Sequence, residues 1–394
     1  MKLGPALALV VVLGDLGRSP RMLAHARALR LRGWAVALCG HADSALPQDV
    51  RTDAGVTVHD LGRGALRGAL NLAHFAARLP WRLAVVQNPP GFPAVLALTW
   101  ARGARNARIV LDWHNTGAEL LVAGWPWRQA YAAAETFAAR WADTHLAVTL
   151  ALKRAVQRRI GIVDIRVLRD APGETRPAGT PKFGRAAWWR THAVVEGTGS
   201  AAGNVPLENA LWVVCPSSWG PDEAMEELMD VATNWSLAVA GGRSLALIAT
   251  GKGARRAAFV STLAGNGNVV ANEKAATVHV AWFSPEDYRE LLARADAGLC
   301  LHTSSSGLDF PMKLVDFAAA GLPALACDYG PALREAFPAA PGDATFRNER
   351  ELRARLTALA TGERTLRETE KPARTWSGEW NQAAPDVAAE GTII

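Results

Sequence analysis

The sequence is poor in cysteine, and its cysteines form no recognisable ligand or disulfide pattern. Each stands singly within an apolar, strand-like run, and no CxxC pair occurs. Disulfide-rich secreted scaffolds and cysteine-based metal sites are therefore excluded, and a reducing, cytosolic environment is expected. The residues concerned are Cys39, Cys215, Cys300 and Cys327.

Long apolar runs and low-complexity blocks are also lacking. The stretch from Leu3 to Leu13 is strongly apolar, yet it is shorter than the ~20 residues that a membrane-spanning helix requires. It runs directly into a glycine loop, which is typical of a buried first β-strand rather than of a signal peptide. The chain has 394 residues, of which 49% are hydrophobic, and this length predicts two domains that each bury a core.

Positive charge is in excess but is not clustered. The formal net charge of +6 favours a polyanionic partner, which could be a phosphate ligand, a nucleic acid or an anionic membrane face. Lys and Arg are scattered, and no zinc-finger, basic-zipper or RNA-recognition motif is present. A nucleic-acid partner is therefore not expected.

Short apolar runs alternate with amphipathic segments along most of the chain, which predicts parallel sheets covered by helices. The alternation lapses after Ala171 and resumes at Leu211. We expect an α/β fold in which two Rossmann-like, doubly wound parallel-sheet domains face each other across a cleft. The predicted bounds are 1–172 for the first domain, 173–209 for a connector, 210–372 for the second domain and 373–394 for a segment that crosses back to the first.

The stretch HTSSSGLDFPMKLVD, residues 302–316, follows a predicted strand and is the richest in polar groups. Its hydroxyls and its glycine, placed before a helix start, offer donors to a phosphate, and the helix N-terminus favours an anion. Lys313 would reach the same phosphates, and Asp316 could accept hydrogen bonds from the hydroxyls of a ribose. A capped surface helix is the alternative.

A second glycine loop, Gly251-Lys252-Gly253, follows another predicted strand and would line the same site. Such short turns are more often simple strand-to-helix bends than phosphate sites. The full set predicted for the phosphate and ribose site is Gly251, Lys252, His302, Ser304, Ser305, Ser306, Gly307, Asp309, Lys313 and Asp316.

The loop that begins at Gly14 and Asp15 joins the first strand to the first helix. It has neither the GxGxxG spacing of a dinucleotide site nor the GK[ST] of a P-loop, so NAD and ATP are not the predicted ligands. Arg18 and Arg21 beside Gly17 suit a ligand that carries a pyrophosphate. A tight turn followed by a solvated helical turn is the alternative.

Two further strand ends place polar groups where a ligand would bind. One carries Asn88, and the other carries His114 and Asn115. His114 could act as a base or hold a sugar hydroxyl, because imidazole titrates near neutral pH. A histidine with a purely structural hydrogen bond is equally consistent with this position.

Tryptophans and arginines recur between the fourth and sixth predicted strands. They predict an aromatic and basic surface able to sit at a membrane interface, with core and helix packing as the alternative. Glu135 lies between two of the tryptophans on a predicted helix. The residues of this surface are Trp100, Trp125, Trp127, Arg128, Arg140 and Trp141.

The motifs, in chain order, resemble those of the chitobiosyldiphosphodolichol β-mannosyltransferases. The resemblance covers most of residues 6–381 and rests on GDLGRSPRM, VVQNPPG, IVLDWHNTG, WGPDE, CLHTSSSGLDFPMKLVDFAAAGLP and WSGEW. It implies a GT-B glycosyltransferase that transfers mannose from GDP-mannose to GlcNAc₂-diphosphodolichol in a β-1,4 linkage. This is the first mannose of the N-glycosylation precursor, added at the cytosolic face of the endoplasmic reticulum membrane.

Inversion at the sugar requires a base and stabilisation of the departing GDP, but no covalent nucleophile. As the base we expect Asp15, ahead of His114, and we expect neither a metal nor another cofactor. Asp309 and Asp316 do not reproduce the Glu-x₇-Glu spacing of retaining relatives. The residues expected to bind the acceptor are Gly14, Gly17, Arg18, Arg21, Asn88, Asn115 and Glu135.

Members of this family usually begin with a membrane-spanning anchor, whereas this sequence opens on its first strand. Either the anchor is absent from this protein, or it has been lost from this sequence. Membrane association is then expected to rest on the aromatic surface or on a complex with other dolichol-pathway transferases. Two alternatives stay open from the sequence. One is a GT-B transferase with another lipid-linked acceptor, and the other is an inactive sugar-nucleotide-binding subunit.

Overall fold

The structure is a computed structural model that describes residues 5–103, 106–121, 124–173, 184–195, 208–235, 243–265, 276–304, 306–336, 344–362 and 374–384. The chain divides into two compact units. The first unit comprises Met1–Gly173, Leu308–Phe310 and Arg374–Ile394, and the second comprises Glu174–Gly307 and Pro311–Ala373.

The first unit contains a seven-stranded sheet in which every pairing is parallel. Its strands are β1 (Leu7–Asp15), β2 (Ala35–His41), β3 (Val56–Asp60), β4 (Trp81–Asn88), β5 (Arg108–Trp113), β6 (Thr144–Ala147) and β7 (Ile165–Val167). Their spatial order is β3-β2-β1-β4-β5-β6-β7. The direction of winding therefore reverses between β1 and β4, which is where doubly wound sheets bind ligands.

Helices cover both faces of this sheet, so its central strands are apolar on both sides. The helices are α1 (Pro20–Leu31), α2 (Gln48–Thr52), α3 (Ala65–Ala77), α4 (Phe92–Arg102), α5 (Gly117–Leu120), α6 (Trp125–Ala139) and α7 (Leu150–Ile160). Helices α3, α4, α6 and α7 share one core with the sheet, and α1 belongs to the core of the opposite face.

The last described helix of the chain, Trp376–Ala383, also packs in the first unit, on the same face as α1. The indole of Trp376 donates a hydrogen bond to the carbonyl of Ala24 at 3.0 Å. The indole of Trp380 donates to Nδ1 of His25 at 2.9 Å. The helix is thus held by large buried rings whose polar atoms are also satisfied.

The second unit contains a second seven-stranded sheet. Its strands are β8 (Val194–Val195), β9 (Leu211–Pro216), β10 (Leu245–Thr250), β11 (Ala276–Trp282), β12 (Ala297–Cys300), β13 (Ala324–Cys327) and β14 (Thr345–Phe346). They lie in the order β14-β13-β12-β9-β10-β11-β8, and only β8 is antiparallel to its neighbour. The switch point of this sheet therefore lies between β9 and β12.

Helices of the second unit follow its strands in alternation. They are α8 (Arg185–His192), α9 (Glu226–Thr233), α10 (Arg256–Gly265), α11 (Pro285–Arg294), α12 (Lys313–Ala319), α13 (Pro331–Ala336) and α14 (Glu349–Thr361), and the helix Trp376–Ala383 of the first unit is α15. None of the helices in the described ranges is both long enough and apolar enough to cross a bilayer.

The α/β fold with two parallel-sheet units is confirmed. The described part of the predicted connector at 173–209 contains regular structure, namely α8 and β8. Trp188 and Trp189 of α8 pack against Phe283 at ring-centroid distances of 5.7 and 5.5 Å. Tertiary packing therefore orders a segment whose sequence shows no clear periodicity.

Candidate active site

A buried carboxylate organises the carboxyl edge of the first sheet. Asp112, on β5, accepts hydrogen bonds from Nε and Nη2 of Arg21 at 2.7 and 2.8 Å. It also contacts Nε2 of His25 at 2.9 Å and Nε2 of His114 at 3.0 Å. Burial alone would raise the pKa of Asp112, but Arg21 and His114 hold it well below its ordinary value. Asp112 is therefore an anion that several side chains share.

The protonation state of His25 follows from its partners. Because an indole N–H only donates, the bond from Trp380 makes Nδ1 of His25 an acceptor. The ring proton then sits on Nε2 and is donated to Asp112. Burial lowers the pKa of His25, so the ring is neutral.

His114 is the group of this cluster that water reaches, since its side chain is half-buried whereas that of Asp112 is fully buried. Its backbone N–H donates to the carbonyl of Asn88 at 2.8 Å, which fixes the residue between two strand ends. The Asp112 carboxylate favours the tautomer with the proton on Nε2, which leaves the Nδ1 lone pair available to take a proton. A carboxylate that orients an imidazole in this way is the arrangement of a general base.

Asp15 ends β1 and caps the short 3₁₀ turn Leu16–Arg18. Its carboxylate accepts hydrogen bonds from the backbone N–H groups of Gly17 and Ser44 at 3.2 and 3.1 Å, and from the Ser44 hydroxyl. Partial burial would raise the pKa of Asp15, but the bonds from Ser44 outweigh it, and the pKa is lowered. A carboxylate engaged in this way is a weaker base than the sequence led us to expect.

The two arginines of this loop differ. Arg18 is exposed, so it stays a candidate for a ligand phosphate. Arg21 is buried, and its Nη1 donates to Asp170 at 2.8 Å while the rest of the guanidinium holds Asp112. The charge of Arg21 is thus engaged by two carboxylates, and a contact between Arg21 and a pyrophosphate stays a prediction. Gly14 is partly exposed, and at Gly17 an added Cβ would lie 2.7 Å from the Ser44 carbonyl oxygen.

Asn88, Asn115 and Glu135 lie in a buried polar cluster under the loops after β4 and β5. Oε1 of Glu135 accepts from the Asn88 amide at 3.0 Å and from the Gly117 N–H at 2.9 Å. Oδ1 of Asn88 accepts from Gly91, and Oδ1 of Asn115 accepts from its neighbour's N–H. Burial raises the pKa of Glu135. The structure shows these three side chains supporting the loops, and their contact with the acceptor stays a prediction.

In the second unit, Lys313 and Glu223 form a partly buried ion pair at the switch point of the sheet. Glu223 lies in the turn that follows β9, and Lys313 begins α12. The Glu223 carboxylate also accepts from the hydroxyls of Ser217 and Ser218 and, at 3.3 Å, from the Ser218 backbone N–H. The ammonium of Lys313 is thus fixed in place, and its remaining N–H groups can bind a phosphate.

The glycine loop after β10 packs backbone to backbone against the turn after β9. A Cβ on Gly251 would lie 1.9 Å from the Ser217 carbonyl oxygen, and one on Gly253 would lie 1.9 Å from that of Ser218. Gly251 has a φ of +117°, which side-chain-bearing residues rarely adopt. Between the two glycines, the ammonium of Lys252 lies 4.3 Å from the centroid of the Trp282 ring.

Asp316 is the fourth residue of α12 and lies about one helical turn beyond Lys313. Its Oδ2 accepts a hydrogen bond from the Tyr288 hydroxyl at 3.4 Å. Protein atoms surround the carboxylate although water reaches it, and this burial raises the pKa of Asp316 to about 6. An accessible carboxylate with a free oxygen suits the paired hydroxyls of a ribose.

The loop between β12 and α12 carries the other predicted donor residues. Nδ1 of His302 lies 3.1 Å from Oδ2 of Asp222, and the Ser304 hydroxyl accepts from the Gly307 N–H at 2.9 Å. Ser306 lies 3.2 Å from Ser304 between the hydroxyl oxygens. Asp309 is partly exposed and belongs to the first unit. Ser305 lies outside the described residues.

Asp222, Glu223 and His302 bring ligand atoms within 4.8 Å of one another, which is a spacing that a metal ion could use. Their chemistry does not suit a cation, because the Lys313 ammonium already contacts Glu223 and would repel it. Metal independence stays a prediction.

Sequence reasoning missed four residues of these clusters: Asp112, His25, Glu223 and Tyr288. Asp112 had a signal, since it is an acidic residue directly after three apolar ones, at the edge of the sheet where ligands bind. Glu223 appeared only within the WGPDE turn, with no sign that it would pair with Lys313. His25 and Tyr288 lie mid-helix without a motif.

Comparisons with known proteins bear on the family and the fold of the chain. A family model described as glycosyl transferase-like matches residues 249–377. Chitobiosyldiphosphodolichol beta-mannosyltransferase of Eremothecium gossypii is 31% identical, over 98% of this chain and 85% of that protein. UDP-glycosyltransferase TURAN of Arabidopsis thaliana is 30% identical, over 90% of this chain and 89% of that protein.

Among solved structures, a glycosyltransferase from Rickettsia africae superposes with a TM-score of 0.67, over 98% of this chain and 96% of that one. Its sequence identity is 12%, so this likeness shows the shared GT-B fold alone. The sequence relatives go further, because identity near 30% extends over almost the whole chain. The chain is a glycosyltransferase and belongs to the chitobiosyldiphosphodolichol beta-mannosyltransferase family.

Proposed function

We propose that this chain transfers mannose from GDP-mannose to GlcNAc₂-diphosphodolichol, with inversion and in a β-1,4 linkage. The observation that carries the proposal is the 31% identity, over 98% of the chain, to a relative named for transfer to this acceptor. In such a role the enzyme would add the first mannose of the N-glycan precursor at the cytosolic face of the endoplasmic reticulum membrane.

The described residues suggest how the transfer would proceed. Nδ1 of His114 takes the proton of the acceptor hydroxyl as its oxygen bonds to the anomeric carbon, while Asp112 stabilises the resulting imidazolium. The bond from the anomeric carbon to GDP breaks, and the charge that develops on the diphosphate is stabilised by Lys313 and the loop of Ser304 and Ser306. This mechanism places His114 ahead of Asp15 as the base.

Donor recognition would rest on the second unit. Asp316 accepts hydrogen bonds from the ribose hydroxyls, and the loop Gly251-Lys252-Gly253 lies beside the diphosphate site. The ammonium of Lys313 supplies the positive charge that a metal supplies in other transferases. Activity is therefore expected to persist in EDTA.

The test is an acceptor assay with product analysis. Purified protein is incubated in EDTA with GDP-mannose and a phytanyl analogue of GlcNAc₂-diphosphodolichol, and the product is analysed by mass spectrometry and β-mannosidase digestion. We expect a β-linked trisaccharide. Absence of a product, or an α linkage, would overturn the proposal.

A different donor is a second candidate, because one relative of similar identity is named a UDP-glycosyltransferase. Running the same assay with UDP-glucose, UDP-GlcNAc and GDP-mannose decides between the donors. A preference for a UDP-sugar of tenfold or more in kcat/KM would replace GDP-mannose as the donor.

A further inference from the structure

One layer of helices in the first unit presents large aromatic side chains to solvent. Trp125 and Trp127, in the first turn of α6, are 73% and 72% exposed, and Trp100 of α4 is 70% exposed. Phe137 and Trp141, at the other end of α6, are also exposed and contact each other with ring centroids 6.4 Å apart. Core packing, the alternative reading of these tryptophans, is therefore wrong. Such a concentration of exposed aromatic area is uncommon on soluble surfaces.

The helices α4 and α6 are tied side by side. The ring of Phe92 on α4 meets that of Tyr131 on α6 edge to face at 5.1 Å. Arg102, ten residues after Phe92, forms a 2.8 Å ion pair with Asp143, which is twelve residues after Tyr131. The two helices therefore run in the same direction. This register puts Trp100 at the end of the pair that carries Phe137 and Trp141.

The charge of the same layer is one-sided. Helices α3, α4, α6 and α7 contain a single acidic residue, Glu135, and it is buried. The neighbouring acids Glu119 and Asp143 are paired with Arg128 and Arg102. The cationic residues of the four helices are Arg67, Arg102, Arg128, Lys153, Arg154, Arg158 and Arg159.

The opposite face of the sheet gives a contrast within the same unit. There, Arg27 and Arg30 of α1 are neutralised by Asp49 and Asp53, and the tryptophans Trp376 and Trp380 are buried. Only the layer of α3, α4, α6 and α7 combines unpaired positive charge with exposed indoles among the described helices of this unit.

We propose that this helical layer is a peripheral membrane-binding surface that recognises an anionic bilayer. Indoles partition to the boundary between headgroups and acyl chains, and arginines and lysines beside them attract anionic headgroups. The tryptophans of protein interfaces usually cluster near the centre of the patch, whereas the exposed indoles here lie towards both ends of the α4 and α6 pair, which favours a broad lipid surface. The surface would hold the enzyme where a lipid-linked acceptor resides. The membrane-binding proposal rests on the proposed function only in that respect.

The test is vesicle flotation with the full chain. Wild type is mixed with vesicles of phosphatidylcholine containing 30% phosphatidylserine, and with vesicles of phosphatidylcholine alone. We expect binding to the anionic vesicles that is at least about tenfold stronger, and that weakens from 0.05 to 0.5 M salt. The variant W125A/W127A should lose at least about tenfold in vesicle binding, and R154E/R158E should lose the preference for anionic lipid.

The matched controls are Leu31→Ala and Val163→Ala, which remove exposed apolar side chains outside this layer. They should bind vesicles as wild type does. Melting temperature and GDP binding, measured for every variant, show that the fold and donor site are intact, and transfer to a short-chain acceptor in solution tests the proposed function separately. Wild type that fails to float with anionic vesicles, or a W125A/W127A variant that floats normally, overturns the proposal. So does a self-association of the wild type that the same variants abolish.

Discussion

Nε2 of His114 lies 3.0 Å from the carboxylate of Asp112, and the same carboxylate holds Arg21 and His25. The anion that orients the imidazole is therefore itself fixed by two buried side chains, one of which is held in turn by Trp380. Positioning of this kind is what a general base requires, because a small misplacement of the proton acceptor is costly to the rate. The carboxylate of Asp15, by contrast, already accepts hydrogen bonds from Ser44 and Gly17.

The variant H114Q is expected to lower kcat by about 10²–10⁴-fold, the usual contribution of a positioned base. Glutamine keeps a polar side chain but cannot take up the proton, so the dissociation constant of GDP should not change. D15N is the comparison, because an amide still accepts from Gly17 and Ser44, and it should keep at least about a tenth of wild-type kcat. The measurements are steady-state kinetics and calorimetric GDP binding. The opposite ranking of the two variants would restore Asp15 as the base.

The strands could be predicted because each is a local apolar run bounded by glycine or polar residues. The candidate site could be predicted only where its residues lie in one short segment of the sequence, as Lys313 and Asp316 do. Arg21 looked accessible because its partners, Asp112 and Asp170, lie 91 and 149 residues away. No periodicity within one segment reports a partner at that separation.

The same limit applies to Glu223, which is 90 residues from Lys313, and to Asn88, which is 47 residues from Glu135. Of these residues, Asn88 was predicted at a strand end, and the structure has it there. Whether its side chain faces the ligand or supports a neighbouring loop depends on nonlocal pairing. Burial, which separates these two roles, is a property of the folded chain.

Substitution of Gly251 should destabilise the second unit. In G251A the new Cβ would lie 1.9 Å from the Ser217 carbonyl oxygen, at a φ of +117°. We expect a loss of about 2–3 kcal/mol in the free energy of unfolding, together with weaker GDP binding. G173A is the control, because no atom lies within 4 Å of its added Cβ, and it should change stability by about 0.5 kcal/mol or less. Denaturant unfolding checks both, and equal stability of the two variants would contradict the close approach of the loops.

Removal of Lys313 should affect both turnover and stability, for separable reasons. K313A is expected to abolish detectable transfer, since the diphosphate loses its fixed cation, and to unfold more easily because it leaves Glu223 buried and unpaired. The double variant K313M/E223Q removes both charges and should recover much of the stability without recovering turnover. Thermal unfolding and the transfer assay are run on the same preparations. Recovery of activity in the double variant would show that Lys313 serves the fold rather than the donor.

Donor binding should weaken in mild acid through Asp316. Burial raises the pKa of this carboxyl to about 6, and only the ionised form accepts hydrogen bonds from both ribose hydroxyls. The dissociation constant of GDP-mannose, whose diphosphate does not titrate in this range, is therefore expected to be flat above pH 7 and to rise about tenfold by pH 5. D316N should bind about tenfold more weakly at pH 7.5 and should lose the pH dependence.

Stability gives an independent check on the same residue, with the opposite sign. The pKa of Asp316 is higher in the folded chain than its ordinary value of 3.8, so the native state holds the proton more tightly, and the contribution of Asp316 to stability falls as pH rises from about 4 to 6. D316N removes that cost, and its melting temperature at pH 7.5 should equal or exceed that of wild type. Calorimetry of both proteins from pH 4.5 to 8 measures this. If D316N binds GDP-mannose weakly but has a melting temperature no lower than that of wild type, Asp316 serves donor binding. A lower melting temperature would make its role structural.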